Sequence, residues 1–255
     1  MNNKEKFVRF LLESGALTFG DFTLKSGRKS PYMINTGKLD TGAALSRLGY
    51  FYAGTIYEKM ELGVIPDDVS ILFGSAYKGI PLAASASIAL AAAFGKNLAY
   101  TFNRKEPKDH GEGGVFVGKK PGPGDRILII DDVMTAGTAL REVVELLDTH
   151  APEAKVVASV IAVDRKEFGS NKKLSAVAEA QYELGFPITA IINIDEIVQA
   201  LKSGGIDAED PDSDEGMHDM GTVLMSAGTD DKIKTTLPTT EQIAAIEAYL
   251  EEHRA

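Results

Sequence analysis

The stretch ILIIDDVMTAGTA, residues 127–139, runs four aliphatic residues into two adjacent acids and then into a turn of Thr, Ala and Gly. Where such a turn enters a helix, free backbone N–H groups and the positive end of the helix dipole suit a phosphate monoester. Thr135 and Thr138 add hydroxyl donors, and Gly137 lets a ligand approach the backbone closely. Asp131 and Asp132 would repel that phosphate if they faced it. They are better placed to accept hydrogen bonds from hydroxyls beside it, or to organise a magnesium ion. A phosphate next to a diol is the chemistry of ribose 5-phosphate. One Asp here would read as a helix cap; two acids at the tip of an aliphatic run, followed by Thr-Ala-Gly-Thr, read as a site.

The elements that must hold this segment are legible as apolar runs. VSILFG (69–74), LAYTFN (98–103), RILIID (126–131), VVASVIAVD (156–164) and ITAIINI (188–194) read as buried strands. Helical spacing occurs at Phe7, Phe10, Leu11 and Ser14 with Gly15 as a stop, over 41–60, and over 137–150 at Leu140, Val143, Val144 and Leu147. The Ala-rich stretch 80–94 reads as a helix packed closely on a sheet. Strands alternating with helices predict a mainly parallel sheet covered on both faces, with ligands at the carboxyl ends of the strands. SAYKG, NRKEPKDHGEGG, DDVMTAGTA and DRKE each follow a strand candidate, so four chemically rich loops share one rim.

Composition excludes several classes. The 255 residues fit one α/β domain, and 44% hydrophobic content supports a large core. A net charge of -10 argues against a nucleic-acid face. The absence of cysteine removes disulfides, thiolate catalysis and Cys-based zinc sites, and suits the cytoplasm. MNNKEKFVRF has no apolar signal core, and the run over 80–94 is too short and Ser-rich to cross a membrane. Residues 203–222 hold seven acidic residues and no Lys or Arg, which reads as a solvated insertion. Asp207, Glu209, Asp210, Asp212 and Asp214 lack the Gly and terminal Glu of a calcium loop. Thr239 and Gln242 fit a capping box for a final helix carrying Ile243, Ile246 and Leu250.

The opening stretch resembles the phosphoribosyl pyrophosphate (PRPP) motif of type I phosphoribosyltransferases. FTLKSGRKSPYMINTGKLD, AYKGIPLA, NRKEPKDHGEGG and AVDRKE resemble, in order, segments of the orotate phosphoribosyltransferase family, over about residues 3–202 and again in the last helix. The resemblance implies the type I fold: a mainly parallel central sheet flanked by helices. It adds a small hood from about residues 1–40 with C-terminal parts, and a flexible catalytic lid at about 103–117. The acidic insertion at about 203–238 has no counterpart in compact bacterial members. The implied reaction is Mg2+-dependent transfer of ribose 5-phosphate from PRPP to orotate, giving orotidine 5′-monophosphate and diphosphate in de novo pyrimidine (UMP) synthesis.

Carried onto matching positions, the resemblance gives PRPP to Lys25, Tyr77, Lys78, Arg104, Lys105, Lys108 and His110, to Asp131 and Asp132, and to Val133, Met134, Thr135, Ala136, Gly137, Thr138 and Ala139. Lys105, Lys108, His110, Asp131 and Asp132 would be catalytic, the cations neutralising the departing diphosphate. Orotate would meet Lys25, Met33, Ile34, Thr135 and Arg165, the last pairing its carboxylate. Mg2+ would be held mainly through PRPP, with Asp131 and Asp132 nearby. The lid, hinged at Gly111, Gly113 and Gly114, would reach the neighbouring subunit of a homodimer; no nucleic acid or membrane partner is implied. The family holds the SAYKG turn with a non-proline cis peptide. Met33 and Ile34 stand where many bacterial members carry two aromatics, and Pro107 sits inside the lid. Two other readings stay open. A purine phosphoribosyltransferase would have no use for Arg165 and Lys25, and a non-catalytic PRPP-sensing regulator should have lost the lid cations or gained a basic face.

Overall fold

The computed structural model describes residues 2–24, 27–108, 114–134, 136–203 and 237–254. Helix α1 (Asn3–Glu13) opens on a reciprocal capping box between Asn2 and Glu5 and buries Phe7, Phe10 and Leu11. An antiparallel hairpin of β1 (Leu17–Thr23) and β2 (Lys29–Ile34) follows, separate from the main sheet. A short 3₁₀ turn (Thr36–Lys38) leads into α2 (Gly42–Glu61), capped by the Thr41 side chain. Next come β3 (Ile71–Gly74), α3 (Gly79–Phe94), β4 (Ala99–Lys108) and β5 (Gly114–Gly118). The chain continues through β6 (Arg126–Met134), α4 (Thr138–His150), β7 (Lys155–Asp164), α5 (Ala176–Leu184), β8 (Ile188–Asn193) and α6 (Ile194–Ser203). The last helix, α7 (Thr240–His253), carries the expected Thr239–Gln242 capping box.

The central sheet has the order β5-β4-β3-β6-β7-β8. All its pairs are parallel except β4 with β5 at one edge. Along β6, Leu128 and Ile130 enter a core with α2 and α3, while Ile127 and Ile129 enter a second core with α4 and α5. Both faces of the strand are therefore apolar, which is why its sequence reads as an unbroken aliphatic run.

Two strands run further than their apolar runs predict. β6 continues through both aspartates to Met134, because β7 stays paired with it as far as Met134↔Asp164. The acids thus sit at the strand end, as expected, with Val133 and Met134 extending the strand beyond them. β4 continues to Lys108: β3 stops at Gly74, opposite Phe102, while β5 pairs along the other edge of β4 from Thr101↔Gly118 to Lys108↔Gly114. The ends of the expected lid are a β-hairpin; residues 109–113, with His110, lie outside the described residues, as do 204–236 of the acidic insertion.

The β3–α3 turn is unusually tight. A Cβ on Gly74 would lie 1.9 Å from the Gly79 carbonyl oxygen, and one on Gly49 would lie 2.7 Å from Ser85 backbone atoms. Small residues let α3 press on both β3 and α2, which accounts for its Ala-rich sequence.

Candidate active site

The two acids at the end of β6 differ in environment. The fully buried Tyr52 hydroxyl, from α2, donates to the Asp131 carbonyl at 2.7 Å, and the Asp132 N–H donates to Asp131 Oδ1 at 2.9 Å. Burial, and then the neighbouring Asp132 charge, push the Asp131 carboxyl up to about 6. Burial alone would raise Asp132 as well. The Lys78 hydrogen bond, the Val133 N–H and the Thr36 hydroxyl outweigh it and hold that carboxyl below the usual range. Lys78 Nζ and Thr36 Oγ1 both donate to Asp132 Oδ2, each at 2.8 Å. Asp132 is thus an ionised acceptor fixed in direction, which suits ribose hydroxyls.

The turn after β6 meets the helix as expected. Gly137, the N-cap of α4, has φ 74°, the left-handed conformation that glycine adopts without strain. The N-cap Gly137 has no side chain to cap α4, and this leaves the first N–H groups of the helix suited to a ligand. Arg141, one turn in, donates from Nη1 to the Ala136 carbonyl at 2.6 Å and is held by Glu183. Ala136, Thr138 and Ala139 are exposed on this cradle. Met134, by contrast, buries its side chain in the α4–α5 core, and Val133 packs on the other core. Of these two expected PRPP contacts, only backbone atoms are available to a phosphate. Thr135 lies outside the described residues.

The β3–α3 turn brings a second group of expected contacts to the same rim. The Ala76–Tyr77 peptide is cis, and the Ala76 N–H donates to Asn103 Oδ1 at 2.9 Å. Tyr77 is exposed, and Lys105 Nζ sits 5.2 Å from its ring centroid, at cation–π range. Lys78 is 62% exposed on its side chain while its partner Asp132 is only 16% exposed, so the lysine is the member of that pair open to a ligand. Arg104 is half-buried on the same hairpin. Lys108 ends β4 with its side chain outside the description, and Lys25 is likewise not described.

Arg165, just past β7, is buried, only 5% exposed. Its Nε donates to Glu167 Oε1 at 2.8 Å, its Nη2 lies 3.4 Å from Ser30 Oγ, and its guanidinium stacks 4.5 Å from the Tyr32 ring centroid. Glu167 also accepts from Arg28 at 2.7 Å and from the Tyr249 hydroxyl at 2.9 Å. A carboxylate thus already occupies the face expected to meet a carboxylate substrate. Met33 and Ile34 are half-buried at the end of β2, beside this cluster. Thr36, Tyr52, Arg141 and Tyr249 were not singled out by the sequence; each acts through a partner that local spacing does not reveal.

The comparisons with known proteins agree with this geometry. The phosphoribosyl transferase domain family matches residues 47–178. The orotate phosphoribosyltransferase of Bifidobacterium adolescentis is 52% identical over 195 residues, covering 76% of this chain and 84% of that protein. Its counterpart from Pseudomonas aeruginosa is 49% identical over 195 residues, covering 76% and 86%. The crystal structure of the Francisella tularensis orotate phosphoribosyltransferase matches with a TM-score of 0.72 at 32% identity, spanning 98% of this chain and 99% of that one. Similarity of this extent, on a parallel sheet that carries DDVMTAGTA at its rim, means that the chain belongs to the orotate phosphoribosyltransferase family, pentosyltransferases of pyrimidine biosynthesis.

Proposed function

We propose that this chain transfers ribose 5-phosphate from PRPP to orotate, releasing diphosphate, with Mg2+ as its cofactor, as a cytoplasmic homodimer. The observation that carries the reading is the convergence on one rim of the uncapped α4 N-terminus, the Asp131–Asp132 pair and the exposed Lys78. The α4 cradle binds the 5-phosphate through Ala136, Gly137, Thr138 and Ala139. Asp132 and Asp131 accept the ribose hydroxyls. Lys78, Tyr77 and the hairpin cations Arg104 and Lys105 meet the diphosphate and stabilise the charge it gathers as the C1–O bond breaks. Lys25, Lys108, His110 and Thr135 are assigned to the same site by the resemblance alone.

Among the described residues no three acidic or His side chains lie close enough to hold a metal by themselves. Two adjacent carboxylates fit Mg2+, which keeps several waters and takes its remaining oxygens from a phosphorylated substrate. Bound in that way it would offset the charge of the diphosphate.

On the base side, Arg165 already holds a carboxylate, that of Glu167. Arg28 and Tyr249 give Glu167 other donors, so Arg165 can turn part of its guanidinium to orotate without leaving Glu167 uncompensated. A purine offers no carboxylate for this cation.

Asp132→Asn tests the reading. Turnover should fall at least about a hundredfold with the thermal midpoint little changed; near-normal rates would remove the ribose role. Mixing a Lys105→Ala protein with an Arg165→Ala protein tests the shared lid. Partial recovery of activity places Lys105 in the partner's site; no recovery with verified subunit exchange places it in its own.

A further inference from the structure

We propose that Thr36 is a positioning residue for the sugar: its hydroxyl holds Asp132 in aim when Lys78 leaves for the diphosphate, and ties that acid to the base-side strand β2. The inference rests on the proposed PRPP site. Thr36 is 9% exposed and follows Ile34 by two residues, in the 3₁₀ turn fixed by Asn35 Oδ1 accepting from the Gly37 N–H at 3.1 Å. Its Oγ1 donates to Asp132 Oδ2 across 96 residues of sequence. Lys78 Nζ donates to the same oxygen at the same distance.

The two donors are not equivalent. Lys78 is exposed on a flexible four-carbon stem and is drawn to any phosphate beside it. Thr36 is a stiff, buried β-branched residue whose hydroxyl, among the described residues, donates to Asp132 alone. If Lys78 alone oriented Asp132, the carboxylate would be free to follow the lysine toward the diphosphate. Thr36 keeps Oδ2 engaged, and with the Val133 N–H on the same carboxylate it holds the acid in place for the sugar.

The test compares Thr36→Val, which keeps the shape and removes the donor, with Thr36→Ser, which keeps the donor, and with Asp132→Asn as reference. PRPP affinity is read by calorimetry with Mg2+ present, and KM for each substrate by steady-state assay. A hydrogen bond to a charged group of this kind predicts about tenfold weaker PRPP binding for Thr36→Val. Thr36→Ser should stay near the parent, and the KM for orotate should change little. Thr36→Ala is run beside it, so that a folding defect in the valine variant leaves the comparison intact. If Asp132→Asn loses PRPP affinity while Thr36→Val and Thr36→Ala retain it, the role of Thr36 is overturned and the site stands. If Thr36→Ser loses as much as Thr36→Val, the role is packing and the proposal is equally overturned. If Asp132→Asn itself binds PRPP normally, the site reading fails first.

Discussion

Lys78 and Asp132 form an ion pair at 2.8 Å across the ends of two adjacent parallel strands, β3 and β6. Each belongs, in the proposed reaction, to a different part of one substrate: the lysine to the diphosphate, the acid to the ribose. Without substrate they neutralise one another, and binding exchanges the partners. Lys78→Gln should therefore weaken PRPP binding about tenfold or more. Because the lysine is largely exposed, the pair is worth no more than about 1 kcal/mol to the fold, a shift of about 2–4 °C in thermal midpoint. Calorimetric titration and thermal scanning of the same preparation separate the two; a loss of ten degrees with intact affinity would make the pair structural.

Asp131 has its carboxyl held at about 6, above the 3.8 of a free side chain. The folded protein binds that proton more tightly than the unfolded chain. Asp131 therefore favours the fold at acid pH, and its contribution is lost as pH rises through 6. At about pH 7.5 the penalty is of order 2–3 kcal/mol. Asp131→Asn should raise the thermal midpoint by several degrees at that pH, with a gain that shrinks below about pH 5, while turnover falls. Equal midpoints for both proteins across that range would show that the carboxyl is not strained.

Glu167 is the counter-ion of a buried arginine. Glu167→Ala leaves the Arg165 charge without that carboxylate in an interior position, at a cost of about 3–5 kcal/mol and a midpoint lower by about 10 °C. Tyr249→Phe removes one donor to Glu167 and should cost only about 1 kcal/mol, with its kinetic effect on orotate rather than on PRPP. Thermal scanning and separate substrate titrations check both; an unchanged midpoint in Glu167→Ala would mean that Arg165 is better solvated than its burial implies.

Gly74 fixes how closely α3 approaches the sheet. Gly74→Ala would drive its methyl into the Gly79 backbone, displacing the turn that carries Tyr77 and Lys78. The expected result is loss of soluble, cooperatively folding protein, read by thermal scanning. A stable Gly74→Ala protein with full PRPP affinity would contradict this packing.

Five of the six strands of the central sheet, β3, β4, β6, β7 and β8, were legible as aliphatic runs bounded by polar residues, whereas β5, α5 and α6 were not read; DDVMTAGTA was legible because phosphate binding demands local chemistry. The ends of β4 and β6 were not. Whether NRKEPK or DDVM is strand depends on pairing with β5 and β7, which local composition does not contain. The burial of Arg165 was hidden for a similar reason: its environment comes from Tyr32 and Tyr249, on β2 and α7, as well as from Glu167 nearby. Thr36 and Tyr52 reach the aspartates over separations of 96 and 79 residues, so no spacing rule could flag them.

The central claim is the reaction itself. Purified protein with PRPP and Mg2+ should deplete orotate absorbance and produce orotidine 5′-monophosphate, while hypoxanthine, adenine and uracil, run alongside, remain unconsumed. Turnover of a purine in place of orotate, or tight PRPP binding with no turnover of any base, would contradict the account.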